Sequence, residues 1–205
     1  MLLLVAAAAP AHAQRDRVIR QAFAPAITPF FGVTGFGVRT TDASDGADFD
    51  YANGMAVGVQ LDRPLTRRTG LLGTVSISPL TRVVGTLDPA VIDFERTLVG
   101  GLDLGLAGRL KPGAPLFVYL GGGATLATRR AARESDGFGA DPRVTAGLGI
   151  DLMRLERTGF RLLYMAHWVK PGTPDESRWV AKSTAFDQTF AIGGRLTLGG
   201  GRATP

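Results

Sequence analysis

The sequence predicts an all-β chain of eight antiparallel strands closed into an up-and-down barrel. Three observations carry that prediction. Apolar residues recur at every second position in eight separate runs. The connections between these runs alternate long, short, long, short, long, short, long. Glycine, at 28 of 205 residues, lies mostly inside the alternating runs rather than between them. Successive side chains on a strand point to opposite faces, so each run has one greasy face and one face of small or charged residues.

Taken in order, Leu2 to Ala9 is an uninterrupted apolar run, and Ala11-His12-Ala13 follows the small-x-small rule of a signal-peptidase site. Residues 1–13 therefore read as a secretory signal, although no Lys or Arg precedes the apolar run. Residues 14–26, with Arg15, Arg17 and Arg20, read as a polar lead-in, 27–200 as the barrel, and 201–205 as a tail. The first strand is expected over 27–40, starting near 30 because Pro29 cannot donate to a ladder. Residues 41–52, with Asp42, Asp45, Asp48 and Asp50, read as a long acidic loop.

The second strand, 53–62, alternates most cleanly: Met55, Val57, Val59 and Leu61 oppose Gly54, Ala56, Gly58, Gln60 and Asp62. A basic turn over 63–70 leads to a third strand over 71–79, and 80–96 reads as a second long loop. The fourth and fifth strands form a hairpin over 98–128. Leu102, Leu104, Leu106 and Leu110 share one parity and Asp103, Ala107 and Arg109 the other, while Lys111-Pro112-Gly113-Ala114-Pro115 breaks the ladder as a tight turn. Its glycines 121–123 leave room for Tyr119 on the inner face. After a long charged loop over 129–143, the sixth strand spans 144–153 and the seventh 160–168, joined by a short turn. A last long loop over 169–187 precedes the eighth strand, 189–198.

Eight strands close in either of two senses: apolar inside for a soluble lipocalin-like ligand carrier, or apolar outside for a transmembrane barrel. The second face decides between them. It carries Gly, Ala, Thr and Ser with isolated Asp62, Asp103, Arg109, Asp151, Arg161 and Arg195. A water-facing surface carries far more Lys and Glu. A narrow lumen filled by side chains needs small residues and ions that compensate one another. Aromatics agree. Phe160, Tyr164 and Trp168 share the outward parity of the seventh strand, and Tyr51, Phe94 and Phe190 also fall on outward parity beside long loops, as an interfacial girdle would. The expectation is an eight-stranded antiparallel up-and-down transmembrane β-barrel.

Composition narrows the function classes. The chain has no Cys, which excludes disulfides and thiol chemistry. Its pI near 10.2 invites nucleic acid, but the basic residues sit in short connections and form no single face. The whole pattern resembles the small outer-membrane β-barrels of Gram-negative-type bacteria, the broad OmpA/OmpW-like eight-stranded class. That resemblance implies outer-membrane lipids, lipopolysaccharide and the barrel-assembly machinery as partners, no nucleic acid, and a monomer. Members of that class commonly end in an aromatic residue on the last strand. Here the strand ends Leu196-Thr197-Leu198-Gly199 and the chain runs on to Pro205.

Catalytic residues are sparse. His167 lies on lumenal parity, and the stretch Arg161 to Trp168 resembles the late strand of outer-membrane lipid A deacylases. That family places a nucleophilic Ser two residues after the His, where this chain has Val169; the first downstream hydroxyl is Thr173. The aspartates of 41–52 lack the terminal Glu of a calcium loop, and Gly121-Gly122-Gly123 and Gly199-Gly200-Gly201 lack the following helix of a phosphate loop. No catalytic, cofactor or metal site is expected. The expected function is a structural or surface-interaction module with its four long loops outside. The alternatives are a narrow passive channel for small solutes or apolar molecules, and a lipid A acyl hydrolase.

Overall fold

Where the two faces of a run differ in polarity, the chain extends and pairs, because only one register buries one face and exposes the other. The computed structural model describes residues 25–43, 46–87, 90–128, 139–152, 157–172 and 179–198; at 80, 83, 86–87 and 90–95 it describes the backbone alone. The segments 1–13 and 201–205, and all but residues 25–26 of the lead-in, lie outside the described residues. Eleven strands form: β1 Ala26–Gly35, β2 Thr40–Asp42, β3 Asp48–Tyr51, β4 Gly54–Pro64, β5 Thr69–Leu87, β6 Ala90–Gly108, β7 Leu116–Ala127, β8 Gly139–Leu152, β9 Thr158–Val169, β10 Trp179–Ala181 and β11 Ala185–Thr197.

Eight of these make the barrel wall. Every neighbouring pair is antiparallel, and the ring runs β1-β4-β5-β6-β7-β8-β9-β11 and back to β1. Closure leaves no unpaired edge in the wall, which is what a sheet in hydrocarbon requires. The turn between β6 and β7 is a type II turn. Pro112 presets the first central φ, Gly113 takes φ 78°, and the Ala114 N–H donates to the Lys111 carbonyl at 3.0 Å. At Gly123 a Cβ would run into the Leu102 carbonyl oxygen of the paired strand, so only glycine lets these two strands approach.

The outward rows are Leu, Val, Ile and Phe. Leu104, Leu106 and Leu120 are more than half exposed, whereas their inward neighbours Asp103 and Tyr119 are buried. Inside, Phe30, Leu72, Ala107, Phe117, Tyr119, Leu163, Met165 and Ala191 pack into one cluster. The Tyr119 phenol lies over Gly121, where a Cβ would strike its hydroxyl oxygen.

The long connections hold more strand than the sequence suggested. Residues 80–96 are not a loop throughout: β5 runs on to Leu87 and β6 starts at Ala90, so this hairpin rises beyond the wall, with register shifts between Ser78 and Val84. β3 pairs with that extension, β2 with β3, and β10 with β2, which builds a small sheet on the rim. Pro29 does not mark the start of β1. It pairs opposite Val59 on one side, while the register with β11 passes from Ile27↔Leu196 to Phe30↔Gly193. The missing N–H thus costs one ladder bond rather than the strand.

Because Leu104 is 63% exposed on the wall, Leu104→Arg discriminates the medium around it. In a bilayer the substitution should destabilise the refolded barrel by about 2–4 kcal/mol in urea titration. A change within about 0.5 kcal/mol would put this face in water.

Candidate functional site: the ion-paired lumen

The inner faces of the wall strands gather their ions at two levels in the lumen, with a further pair at the rim. Towards the short turns, Arg161 is the centre. Its Nε donates to Asp151 Oδ1 at 2.6 Å, and its Nη1 donates to Gln60 Oε1 at 2.7 Å and Asp62 Oδ1 at 2.9 Å. Arg109 donates to the other oxygen of Asp151 and to the Ala114 and Pro115 carbonyls. Both guanidinium groups sit over the Phe117 ring, Arg109 at 5.2 Å and Arg161 at 4.7 Å from its centroid. Arg195 Nε lies 3.5 Å from Asp62 Oδ2. Gly149 makes room for that ring, since a Cβ there would meet Phe117.

The second level lies nearer the long loops. Arg143 grips Asp103 through both Nε, at 2.9 Å, and Nη2. The Thr145 hydroxyl donates to Asp103 Oδ1 at 2.7 Å and sits 2.8 Å from His167 Nδ1. A hydroxyl has one proton, and Asp103 takes it, so His167 Nδ1 carries a proton and donates to Thr145. His167 is 3% exposed. Such bidentate, fully buried pairs are the arrangement in which attraction offsets the loss of hydration.

At the rim, Arg39 Nη2 donates to Asp187 Oδ2 at 2.5 Å, the other Asp187 oxygen accepts from the Gly37 N–H, and the Arg39 guanidinium sits 5.6 Å from the Tyr51 ring centroid. Asp50 belongs to β3, above the wall. Burial pushes its carboxyl up to about 6; Arg39 pulls it down, while Asp48 and Asp187 add to the rise.

The lumenal residues Asp62, Asp103, Arg109, Asp151, Arg161 and Arg195 all lie on inner faces, divided between the two levels: Asp103 stands in the upper one and the other five in the lower. Sequence reasoning missed Arg143, Arg39 and Asp187 because they were assigned to loops or strand ends. Arg143 shares the parity of Thr145, Gly147, Gly149 and Asp151, so extending the sixth run by one inward position would have found it. Of the proposed girdle, Phe160, Trp168 and Phe190 are about half exposed on the outer wall, and Tyr164 stacks on Phe190 at 4.6 Å. Trp168 pairs with Phe186 at 5.4 Å. Tyr51 is a correction: it is 2% exposed, edge-on to Phe36 at 5.6 Å, in a core with Ala47, Phe49, Val99 and Ala127 beneath the rim sheet. Phe94 lies on β6, but its side chain is outside the described residues.

No family model matches the chain, and no curated protein does. Solved structures do. The outer membrane protein OprG from Pseudomonas aeruginosa superposes with a TM-score of 0.55 at 10% identity, covering 85% of this chain and 97% of that one. The outer membrane protein AlkL, solved by solid-state NMR in lipid bilayers, gives 0.55 at 13% identity over 89% and 93%. Neisserial surface protein A gives 0.50 at 12% identity over 85% and 97%. The chain therefore has the fold of the small eight-stranded outer-membrane barrels.

Two predictions follow from this geometry. Asp103→Ala strands Arg143 in the lumen and should cost about 3–5 kcal/mol, whereas Asp103→Leu combined with Arg143→Met should recover most of the loss. An unchanged urea midpoint for Asp103→Ala would remove the pair from the account. For Asp50 the folded value lies above the ordinary 3.8. Its stabilising contribution is therefore complete below 3.8 and lost as pH rises through about 6. Hydrogen-exchange protection of Asp48–Tyr51 should fall across that window, and Asp50→Asn should flatten the fall.

Proposed function

We propose that the protein is an outer-membrane β-barrel that serves as a structural, surface-interaction module without catalysis. The wall anchors the rim sheet and the long connections outside the membrane, and the short turns face the periplasm. The membrane partners are outer-membrane lipids and lipopolysaccharide, with insertion by the barrel-assembly machinery. The observation that carries this reading is the filled lumen. Ion pairs block it at two levels, an apolar cluster packs between, and the cavity beside His167 and Arg143 has a volume of only about 20 Å³. That is room for about one water. The burial of His167, with Val169 where the deacylase resemblance needs a hydroxyl, supports the non-catalytic reading.

A second reading, passage of small apolar molecules, is favoured by one feature. A cavity of about 380 Å³ indents the outer wall where β1 ends, lined by Val33, Phe186 and Phe190 with Asn53 and Gln188 at its polar edge. It opens to the lipid side rather than along the barrel axis.

Planar bilayers separate the readings. The refolded protein should give no stable discrete conductance steps; reproducible steps would favour a pore. Lipid A incubated with it should keep its mass. Loss of an acyl chain, abolished by His167→Ala, would overturn the non-catalytic reading. Proteoliposomes that take up a small apolar fluorophore faster than protein-free vesicles would favour the second reading.

A further inference from the structure

We infer that the short-turn end of the barrel is a binding collar for anionic glycerophospholipids, formed by Arg63, Arg67, Arg68, Lys111 and Arg157. The inference rests on the reading of the barrel as membrane-spanning. All five side chains are exposed, whereas Arg109, Arg143 and Arg161 point inward and are ion-paired; Arg82 and Arg96, also exposed, lie on the β5–β6 extension at the opposite end. Among the described residues of this end, no Asp or Glu is exposed: Asp62 and Asp151 are both engaged by Arg161.

The placement of the basic residues fits a headgroup layer. On β4 the outward row runs Val57, Val59, Leu61 and then Arg63, so a guanidinium stands at the foot of an apolar row. Arginine in that position lays its stem along hydrocarbon and its head among phosphates. The next turn is held rigid. The Leu65 and Thr66 N–H groups donate to the Thr69 carbonyl, and the Thr66 hydroxyl accepts from the Arg68 and Thr69 N–H groups. The Arg109 N–H donates to the Arg68 carbonyl at 2.8 Å, which ties this turn to the one bearing Lys111. Arg157 is tied to β11 through its carbonyl, which accepts from Thr197, so the collar reaches the far side of the ring.

Leu65 and Leu110 stand beside the charges at 53% and 83% exposure. Leucine next to arginine is suited to the boundary between acyl chains and phosphates. The opposite end differs: its outward rows finish in Trp168, Phe186 and Phe190. Guanidinium forks match phosphate oxygens, and each basic residue near an anionic surface is worth about fivefold in binding.

Spin-labelled lipids in mixed vesicles test the collar on the full refolded chain. Labelled phosphatidylglycerol should be motionally restricted several-fold more than labelled phosphatidylcholine. That preference should collapse at high salt and in Arg67→Gln/Arg68→Gln/Lys111→Gln, with the total restricted lipid unchanged. Equal restriction of the two lipids would overturn the collar and leave the barrel standing. So would a preference that survives in the triple variant. No restricted lipid of either kind would instead mean that the membrane-spanning reading itself has failed. The salt titration of the unsubstituted protein reads the same preference without depending on how the variant folds.

Discussion

An eight-stranded ring closes around a space that only side chains can fill, and this constraint governs the rest of the molecule. The outer wall is apolar along the middle of its strands, so a polar side chain there has one place to go. Inside a dry lumen a lone Asp or Arg is costly, and the sequence answers with groups that converge in pairs and triads. Arg161 gathers Asp151 from the neighbouring strand and Asp62 and Gln60 from a strand far away in sequence; Arg143 gathers Asp103, which in turn orders Thr145 and His167. The contacts of Arg161 with Asp62 and Gln60, and of Arg143 with Asp103, cross the barrel interior, so they fix the relative register of strands that are not neighbours. The same convergence fills the lumen around the barrel axis.

Beyond the wall the constraint changes. Above the loop-side rim, no hydrocarbon imposes an outward face, and the β5–β6 extension acquires its own small core from Phe49, Tyr51, Val99 and Ala127. Its electrostatics are softer. Asp50 is half-buried among Asp48, Asp187 and Arg39, while Lys182 and Asp48 form an exposed pair at 3.4 Å that contributes little. The outward rows finish in aromatics on the loop side and in Arg63 at the foot of β4 on the turn side.

Period-two alternation made the wall legible, because inside a closed ring parity has only two meanings. The strands, their order, the alternation of long and short connections, and the inward placement of Asp103, Asp151 and Arg161 all follow from it. Legibility failed where the ring stops. Tyr51 has outward parity relative to β4, but it belongs to β3 in the rim sheet, whose faces are set by the local core. The run Asp48-Phe49-Asp50-Tyr51 alternates with period two and carried the signal of a strand; its acidity masked it. Pro29, expected to delay the start of the first strand, is a single missing donor within it. The salt-bridge partners were hidden for a different reason: sequence shows which face an ion occupies, not which strand across the lumen supplies its counter-ion.

The central claim is that the apolar face of this barrel meets lipid and the ionic face fills the lumen. Its most direct test is membrane fractionation followed by gel mobility with and without boiling. The protein should remain in alkali-washed outer membranes and migrate differently when unboiled, as a closed barrel that resists detergent. A soluble periplasmic species with one mobility under both conditions would contradict it.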